Sequence, residues 1–441
     1  MSEYVSIEIK NMSILDFRNY LDNDIVGKFF SSGDIIMTPN YKEDPEDEDS
    51  ATFTRYMYKT SVKKMSERLD ALGYGIKRFE ELFNSNAFEA IDYNSFLQNH
   101  LHIDHEDCEE KAKERIKGVT FQKWRNSITK IIKYELINGS IRWNHACNEK
   151  SIGINTECDK IVYYSLKNID SEYYYALNID VIPIEYVIRL IIDACDDSEE
   201  VILDFSNLKN WAEDSIPKAL NATKNVEKTI VLVEGKSDKD ILEFSLKYLY
   251  PHLYDLFYFM DFEDNHGTKR AGGTSDEVKN LKTFYYSKIR SKFIAVFDND
   301  AEGYISKCIL MKEIKKWPNN FRIFLYPDDG LFRKYPTLSP SGKMEKCNII
   351  HKACSIELYL PDSIIKDKGD YYPIQWESRK KVQTENGLDE YIYQGVISQK
   401  DKIKVNFHKL KKSIENGKEP FVPEDWERMK RLISEIVFAF V

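Results

Sequence analysis

The sequence predicts an α/β protein. Its core is a four-stranded parallel sheet flanked by helices (228–330), preceded by an α+β amino-terminal module (1–222) and followed by a mostly helical carboxyl-terminal extension (331–441). Three observations carry this reading. Between Thr229 and Pro327, short apolar runs alternate with stretches of helical periodicity, the pattern of parallel strands covered by helices. The first run, TIVLVE, delivers a carboxylate, Glu234, into Gly235, and the third, KFIAVFDND, ends in Asp298 and Asp300. The carboxyl ends of parallel strands are where open α/β sheets place their chemistry.

The elements follow in order. YVSIEIKNMSILDF alternates as a strand, and FFSSGDIIMTPNY reads as a second strand or hairpin piece. EDPEDEDS (Glu43–Ser50) is a run of like charge and reads as a solvated loop. From Phe53 the pattern turns helical, with Tyr58, Val62, Met65, Leu69 and Leu72 at helical spacing and Gly73 as the closing residue. An α-rich module then extends to about Ile137. Pro183 leads a helix whose core face is Val187, Leu190, Ile191 and Ala194, and VILDF is a strand. NATKNVEK (Asn221–Lys228) is polar and aperiodic, as a linker would be.

The opening strand at Thr229 leads into a helix capped by Ser237 or Asp238, with Ile241, Leu242, Phe244, Ser245 and Tyr248 on its core face. LFYFMDFED is a second strand, and a loop with Gly267, Gly272 and Gly273 enters a helix capped by Thr274 or Ser275. KFIAVFDND, AEGYISKCILMKEIKKW and FRIFLYP complete the alternation. KCNIIHKACSIELYLP reads as helical through its middle, WESRKK and SQKDKIKVNFHKLKK are basic, and EDWERMKRLISEIVFAFV is a final amphipathic helix.

Composition narrows the class. The chain has 441 residues, 42% of them hydrophobic and 31% charged, which suits a globular protein of several domains. A net charge of −10 is the wrong sign for a protein that coats nucleic acid unaided, so phosphate contacts would need a local basic patch, divalent cations or a partner. Arg379, Lys380 and Lys381 with Lys400 to Lys412, and Lys236 and Lys402, are the candidates for that patch. The 28 tyrosines read as packing. Seven cysteines without a CxxC pair fit a reducing cytoplasm. Cys347, His351 and Cys354 would share a helical face but lack a second pair for a metal, and His102 and His105 lack a third ligand. No apolar run reaches the roughly 18 residues of a membrane span, and the first residues are not a leader, so a soluble cytoplasmic protein is expected.

The chemistry concentrates in three acids. Residues two apart on an extended segment point the same way, so Asp298 and Asp300 can face one point, and Glu234 ends a strand expected next to theirs. Three hard oxygen donors at strand ends form a natural Mg2+ or Mn2+ site for phosphoryl chemistry.

These residues resemble a known family. LVEGKSDKDIL, GGTSDEV and VFDNDAEG look like the Toprim domain shared by topoisomerases, bacterial-type primases and the overcoming-lysogenization-defect (OLD) nucleases, over residues 228–327. The resemblance implies Glu234 as metal ligand or general acid/base, Asp298 and Asp300 as the metal-binding pair, and Gly235, Gly273 and Gly303 as turn glycines. In the nuclease branch a further Glu and a Lys follow. Glu357 in CSIELYLP matches the first as a metal ligand, and Lys404 in KIKVNF, with Lys402 as rival, matches the second. SIEIKNMSILDF, RLDALGYGIKRFEELF and VILDFSNLKNWAED resemble the HEPN/Toprim-associated amino-terminal domain, which is linked to conflict systems against phage. The Arg-x4–6-His arrangement of HEPN ribonucleases is missing, since His145 follows Arg142 by only three residues, so no such activity is expected there.

No second strand-passing domain, zinc ribbon or GxxxxGK[ST] loop accompanies the core, which sets aside topoisomerase, primase and a self-contained ATPase-nuclease. The expectation is a compact metal-dependent nuclease on DNA or RNA in antiphage defence. Its partners would be the nucleic acid and a separate ATPase or sensor protein, with room for a homo-oligomer and no membrane. The alternative is a non-catalytic adaptor or sensor that uses the fold to bind nucleic acid, nucleotide or protein.

Overall fold

A computed structural model describes residues 4–18, 21–43, 51–85, 118–138, 149–167, 183–210, 214–260, 274–339, 341–383 and 389–441. The chain forms two compact units, 1–226 and 227–440. The histidines at 102, 105 and 145, Arg142, most of the acidic run and the glycines at 267, 272 and 273 lie outside the described residues.

The first unit is built on a five-stranded sheet in the order β2-β1-β5-β4-β3. Its strands are β1 (Tyr4–Ile9), β2 (Met12–Arg18), β3 (Ile35–Tyr41), β4 (Phe53–Ser61) and β5 (Glu200–Asp204), and every pairing is antiparallel. Val5, Ile7 and Ile9 alternate into the core along β1, as a half-buried strand requires. The segment from Phe53 is therefore a strand where helical spacing predicts a helix. Tyr58 belongs to β4 and donates its hydroxyl to Ala219 O at 2.7 Å, and the helix α2 (Val62–Ala71) begins only after the Ser61 cap. The apolar residues of Phe53–Ser61 satisfy either period over so short a window, and pairing with β5 decides between them.

Helices α1 (Asn23–Phe29), α3 (Ile76–Ser85), α4 (Phe121–Asn138), α5 (Glu149–Ile152), α6 (Glu157–Lys167), α7 (Ile184–Ile192) and α8 (Ser215–Leu220) complete the unit. Gly73 ends α2 in the left-handed region (φ 85°), with Tyr74 N bonded to Leu69 O at 2.8 Å. Phe79, Phe83, Phe121, Trp124 and Tyr186 interlock as one aromatic cluster. Two buried charges are paired: Arg189 bridges Asp70 and Asp193, and Glu185 accepts from Lys28 at 2.9 Å and Tyr74 at 3.1 Å. Ala222, Thr223 and Val226 are buried, so the first part of the polar stretch at 221–228 packs into this unit, and the boundary between the two units falls within the stretch, after Val226.

The second unit carries the expected parallel sheet, in the order β10-β8-β6-β7. Its strands are β6 (Thr229–Leu232), β7 (Phe257–Met260), β8 (Phe293–Phe297) and β10 (Phe321–Leu325). β8 is buried at all five positions, as a strand covered on both faces must be. Helices α9 (Lys236–Leu249), α10 (Thr274–Tyr286) and α11 (Ala301–Glu313) connect the strands, and the two-residue β9 (Asn299–Asp300) precedes α11. The N-cap of α9 is Gly235, two or three residues earlier than the capping pattern predicts, so Asp238 lies inside the first turn.

The extension is α+β and not mostly helical. It holds a second four-stranded sheet, β12-β11-β16-β17, made of β11 (Tyr335–Leu338), β12 (Met344–Cys347), β16 (Ile374–Gln383) and β17 (Asp389–Ile397). Between them run β13 (Ala353–Cys354), the helical turn α12 (Asp362–Ile365), and the short hairpin β14 (Lys366–Asp367) with β15 (Asp370–Tyr371). Helices α13 (Lys400–Glu415) and α14 (Glu427–Val437) close the unit. The segment read as helical through KCNIIHKACSIELYLP is the end of β12, a turn, β13 and a short helical turn at Ile356–Tyr359, because β12 pairs with the neighbouring β11 in a hairpin and β13 with the distant β9. His351 takes φ 59° in that turn, so Cys347, His351 and Cys354 share no helical face.

Gly303 sits in the first turn of α11, where a Cβ would lie 2.0 Å from Asp298 O. The need is for close approach, not for a left-handed backbone. Gly303→Ala is expected to destabilise the protein by about 1–3 kcal/mol, measured as a lower denaturant midpoint, because the obstructing atom is backbone. An unchanged midpoint would show that α11 is free to move off the strand end.

Candidate active site

The order of the parallel sheet places β6 and β8 side by side, so Glu234 and Asp298 leave the same edge of it. Asp298 is 7% exposed and its Oδ1 has no hydrogen-bond partner. Glu234 is partly exposed and accepts from Thr274 Oγ1 at 2.9 Å, a bond made by the first residue of α10. Asp300 caps α11, with Oδ1 accepting from Gly303 N at 2.9 Å and Oδ2 from Gln394 Nε2 at 2.8 Å. Both of its oxygens are thus engaged, whereas the two-residue spacing alone predicts a matched pair with Asp298. Between them Asn299 donates to Tyr326 O at 2.8 Å and Asp328 at 3.0 Å, and accepts from His351 N at 3.0 Å.

Glu357 arrives from the extension. β13 pairs antiparallel with β9, Ala353 opposite Asp300 and Cys354 opposite Asn299, and the turn that follows carries Glu357 inward to 1% exposure. Neither of its oxygens forms a hydrogen bond, and its partners are charges: Lys400 Nζ at 3.2 Å and Lys404 Nζ at 3.8 Å. The two lysines are four apart on one face of α13. Ile403 and Phe407 on the same helix are buried, and Phe407 meets Phe244 of α9 edge-on at 5.7 Å, which docks α13 over the site. Lys402 points elsewhere, to Asp367 at 3.2 Å. Of the rival lysines the structure brings Lys404 to Glu357, and sets Lys400 nearer still.

Two acids that sequence reasoning passed over stand beside these. Asp238, four residues after Glu234, was expected only as a helix cap. Glu277 on α10 is fully buried with both oxygens unpartnered. The first had a signal in its distance of one helical turn from Gly235, and the second had none. Their effect is electrostatic crowding. Burial, then Asp300 and Asp238, push Glu234 up to about 7 against the bond from Thr274. Burial and Glu357 push Asp238 up to about 7, against Lys400 and Lys404. Asp298 is raised well above the carboxylate range by burial and by Glu234, Asp238, Asp300 and Glu357. Glu277 is raised by burial, Glu234 and Asp238. Burial works against the charge on Lys400, but Glu357, Asp298 and Asp238 outweigh it and raise its pKa.

Among the described residues no group of three Asp, Glu, His or Cys side chains is arranged to hold an ion. The donor chemistry nonetheless fits a hard divalent cation. All the donors are carboxylate oxygens; Asp298 Oδ1 and both oxygens of Glu277 lack hydrogen-bond partners, and Glu357 faces only lysine charge.

The other expected residues scatter. Lys236 is exposed at the start of α9. Arg379 and Lys381 share one face of β16, while Lys380 turns to the other and pairs with Glu302 of α11. His351 is structural: it bonds Asn299 through Nδ1 at 2.7 Å and stacks on Tyr304 at 4.4 Å.

Residues 1–224 match the family model described as HEPN/Toprim N-terminal domain 1. The match spans more than half of the 441 residues, and the chain belongs to this family. This agrees with the resemblance carried by the front of the sequence, and the pairing of HEPN with Toprim in the family description points to a nuclease-like or otherwise nucleic-acid-related role. No curated protein and no solved structure matches the chain. No helix among the described residues is long and apolar enough to cross a membrane.

The crowded acids make stability depend on pH in a definite direction. Glu234 rises from an ordinary 4.5 to about 7, so the folded chain holds protons that the unfolded chain has released across that interval. The penalty is absent below the unfolded value, grows as pH rises and is complete above the folded one. In chelator, the melting temperature of the wild type should fall between about pH 5 and about pH 8 by more than that of Asp298→Asn. Equal falls in the two proteins would refute the crowding.

Proposed function

We propose that the chain is a divalent-metal-dependent Toprim nuclease of the OLD-like branch, which cleaves nucleic-acid phosphodiesters as an effector in antiphage defence. One observation carries the reading: Glu234, Asp238, Asp298 and Glu357 crowd one strand edge of a parallel sheet with a partly exposed lysine, Lys400, among them. A structural acid cluster is normally dissolved by pairing or exposure, and this one keeps carboxylate oxygens unpartnered.

In this reading Mg2+ or Mn2+ is held by Glu234, Asp298, Asp300 and Glu357, and when bound it supplies an activated water and neutralises phosphate charge. The chain's own groups do the rest. Glu234, partly exposed and with a pKa of about 7, can take a proton from a water and return it at neutral pH. Thr274 holds that carboxylate in one orientation. Lys400 and Lys404 offer positive charge to a phosphate that reaches Glu357. Asp300, bonded by Gly303 and Gln394, keeps α11 against the strand end.

The second reading is a non-catalytic adaptor or sensor. It is favoured by the engagement of both Asp300 oxygens in structural hydrogen bonds. A nuclease assay with Mg2+ or Mn2+ on plasmid, single-stranded DNA and tRNA separates the two. Wild type should cut at least one substrate, Glu234→Gln should lose roughly 100-fold or more, Asp298→Ala should be inactive, and Lys402→Ala should keep its activity. If wild type and Asp298→Ala are equally inert on every substrate, the adaptor reading stands in place of the nuclease.

A further inference from the structure

The β16–β17 hairpin has two unlike faces. Its register sets Arg379 opposite Tyr393 and Lys381 opposite Tyr391, and directly opposed residues on an antiparallel pair share a face. These four side chains therefore form one patch of alternating cations and rings. Tyr391 is 68% exposed and Tyr393 42%, which is far from the packed state expected of tyrosines in a core. The Arg379 guanidinium lies 4.5 Å from the centroid of the Tyr393 ring and also bonds its hydroxyl. Trp376 extends the row, its ring 5.8 Å from that of Tyr393. A bulge between Trp376 and Ser378 leaves Glu377 without a strand partner.

The opposite face meets the start of the helix that carries Asp300. Gln394, next to Tyr393, is buried and grips α11 by two bonds: Nε2 to Asp300 Oδ2 at 2.8 Å, and Oε1 from Ala301 N at 3.1 Å. Lys380, between Arg379 and Lys381, pairs with Glu302 on the same helix. One strand thus carries the exposed rings on its outer side and anchors the acid-bearing helix on its inner side. The hairpin's anchored position relative to the acids is defined by those bonds. Gly395 is part of the arrangement, since a Cβ there would meet Ile374 Cγ2 at 2.6 Å and Trp376 Cε3 at 3.0 Å.

We propose that the outer face of this hairpin is a stacking platform for an unpaired polynucleotide strand, with Tyr391, Tyr393 and Trp376 taking bases and Arg379 and Lys381 taking phosphates. Every base has a π-face, so aromatic rings among cations bind single strands with little regard to sequence, and paired bases in a duplex cannot reach them. The positive charge is local, on a chain whose net charge is −10, which fits a polyanion at this patch and not over the whole surface. As a substrate class for the site, the unpaired strand rests on the nuclease reading above; as a binding surface, the platform does not.

The test is fluorescence anisotropy in chelator, where no cleavage occurs, with labelled single-stranded DNA, single-stranded RNA and a duplex of the same sequence. At least one single strand should bind more tightly than the duplex. Tyr391→Ala should weaken that binding roughly 5- to 100-fold, and Tyr391→Phe should restore it, since stacking needs the ring and not the hydroxyl. Arg379→Gln should flatten the salt dependence, whereas Lys316→Gln, an exposed cation just past α11, should leave it unchanged. Tyr391 is too exposed for its loss to unfold the protein, and an unchanged melting temperature checks this. Duplex binding as tight as single-strand binding, or full affinity in Tyr391→Ala, overturns the platform. Strand binding that depends on Tyr391 without cleavage by wild type in Mg2+ or Mn2+ would leave the platform standing and remove the nuclease. Cleavage of single strands by wild type and Tyr391→Ala at equal rates and equal affinities would do the reverse.

Discussion

The second unit is organised by mutual repulsion. Glu234, Asp238, Asp298, Glu357 and the buried Glu277 occupy one edge of the parallel sheet, and several of them are held above the ordinary carboxylate range by burial and by one another. Such a cluster persists only where the rest of the structure over-determines it. Two devices do so here. Helices α9, α10 and α11 each begin at this edge, because a helix that follows a parallel strand starts where the strand ends, and their positive amino termini favour negative charge. Lys400 then supplies a full charge from a distant helix.

That dependence explains why the extension is built as it is. Glu357 and Lys400 are separated from the parallel strands by many residues, and their placement rests on modest contacts: two residue pairs between β9 and β13, and the seating of Phe407 against Phe244. Gln394 adds a third tie by bonding both the acid and the backbone at the start of α11. The extension is therefore part of the site's wall. The same tie joins the acids to the aromatic face of the hairpin, so substrate capture and chemistry would be held by one strand.

Much of this was legible beforehand, for local reasons. The fully apolar run before Asp298 had to be a covered strand, and its alternation with helical stretches had to give a parallel sheet. Glu234 and Asp298 stood out because a carboxylate directly after such a run is costly unless it is used, and Glu357 stood out only through the resemblance of CSIELYLP to the nuclease branch. Other residues were not legible. Phe53–Ser61 fits a helical period as well as a strand period, and only β5, far along the chain, resolves it. KCNIIHKACSIELYLP carries helix-like spacing but is drawn into two separate sheets. Lys400 looked like one of several lysines in a basic run, and its distinction from Lys402 is the side of α13 on which each falls.

By itself the sequence determined the parallel sheet and the acids at the ends of its strands, because both are written in residues adjacent along the chain. Tertiary structure alone decided which groups complete the set. Glu277 is an ordinary helical glutamate until packing removes it from water. Asp300 is half of a matched pair until Gln394 and Gly303 take both its oxygens. Tyr391 and Arg379 are a tyrosine and an arginine among many until the register of one hairpin sets rings and cations on a common face. The physical reason is the same in each case. Burial, pairing and register are properties of contacts between distant segments, and no local pattern specifies them.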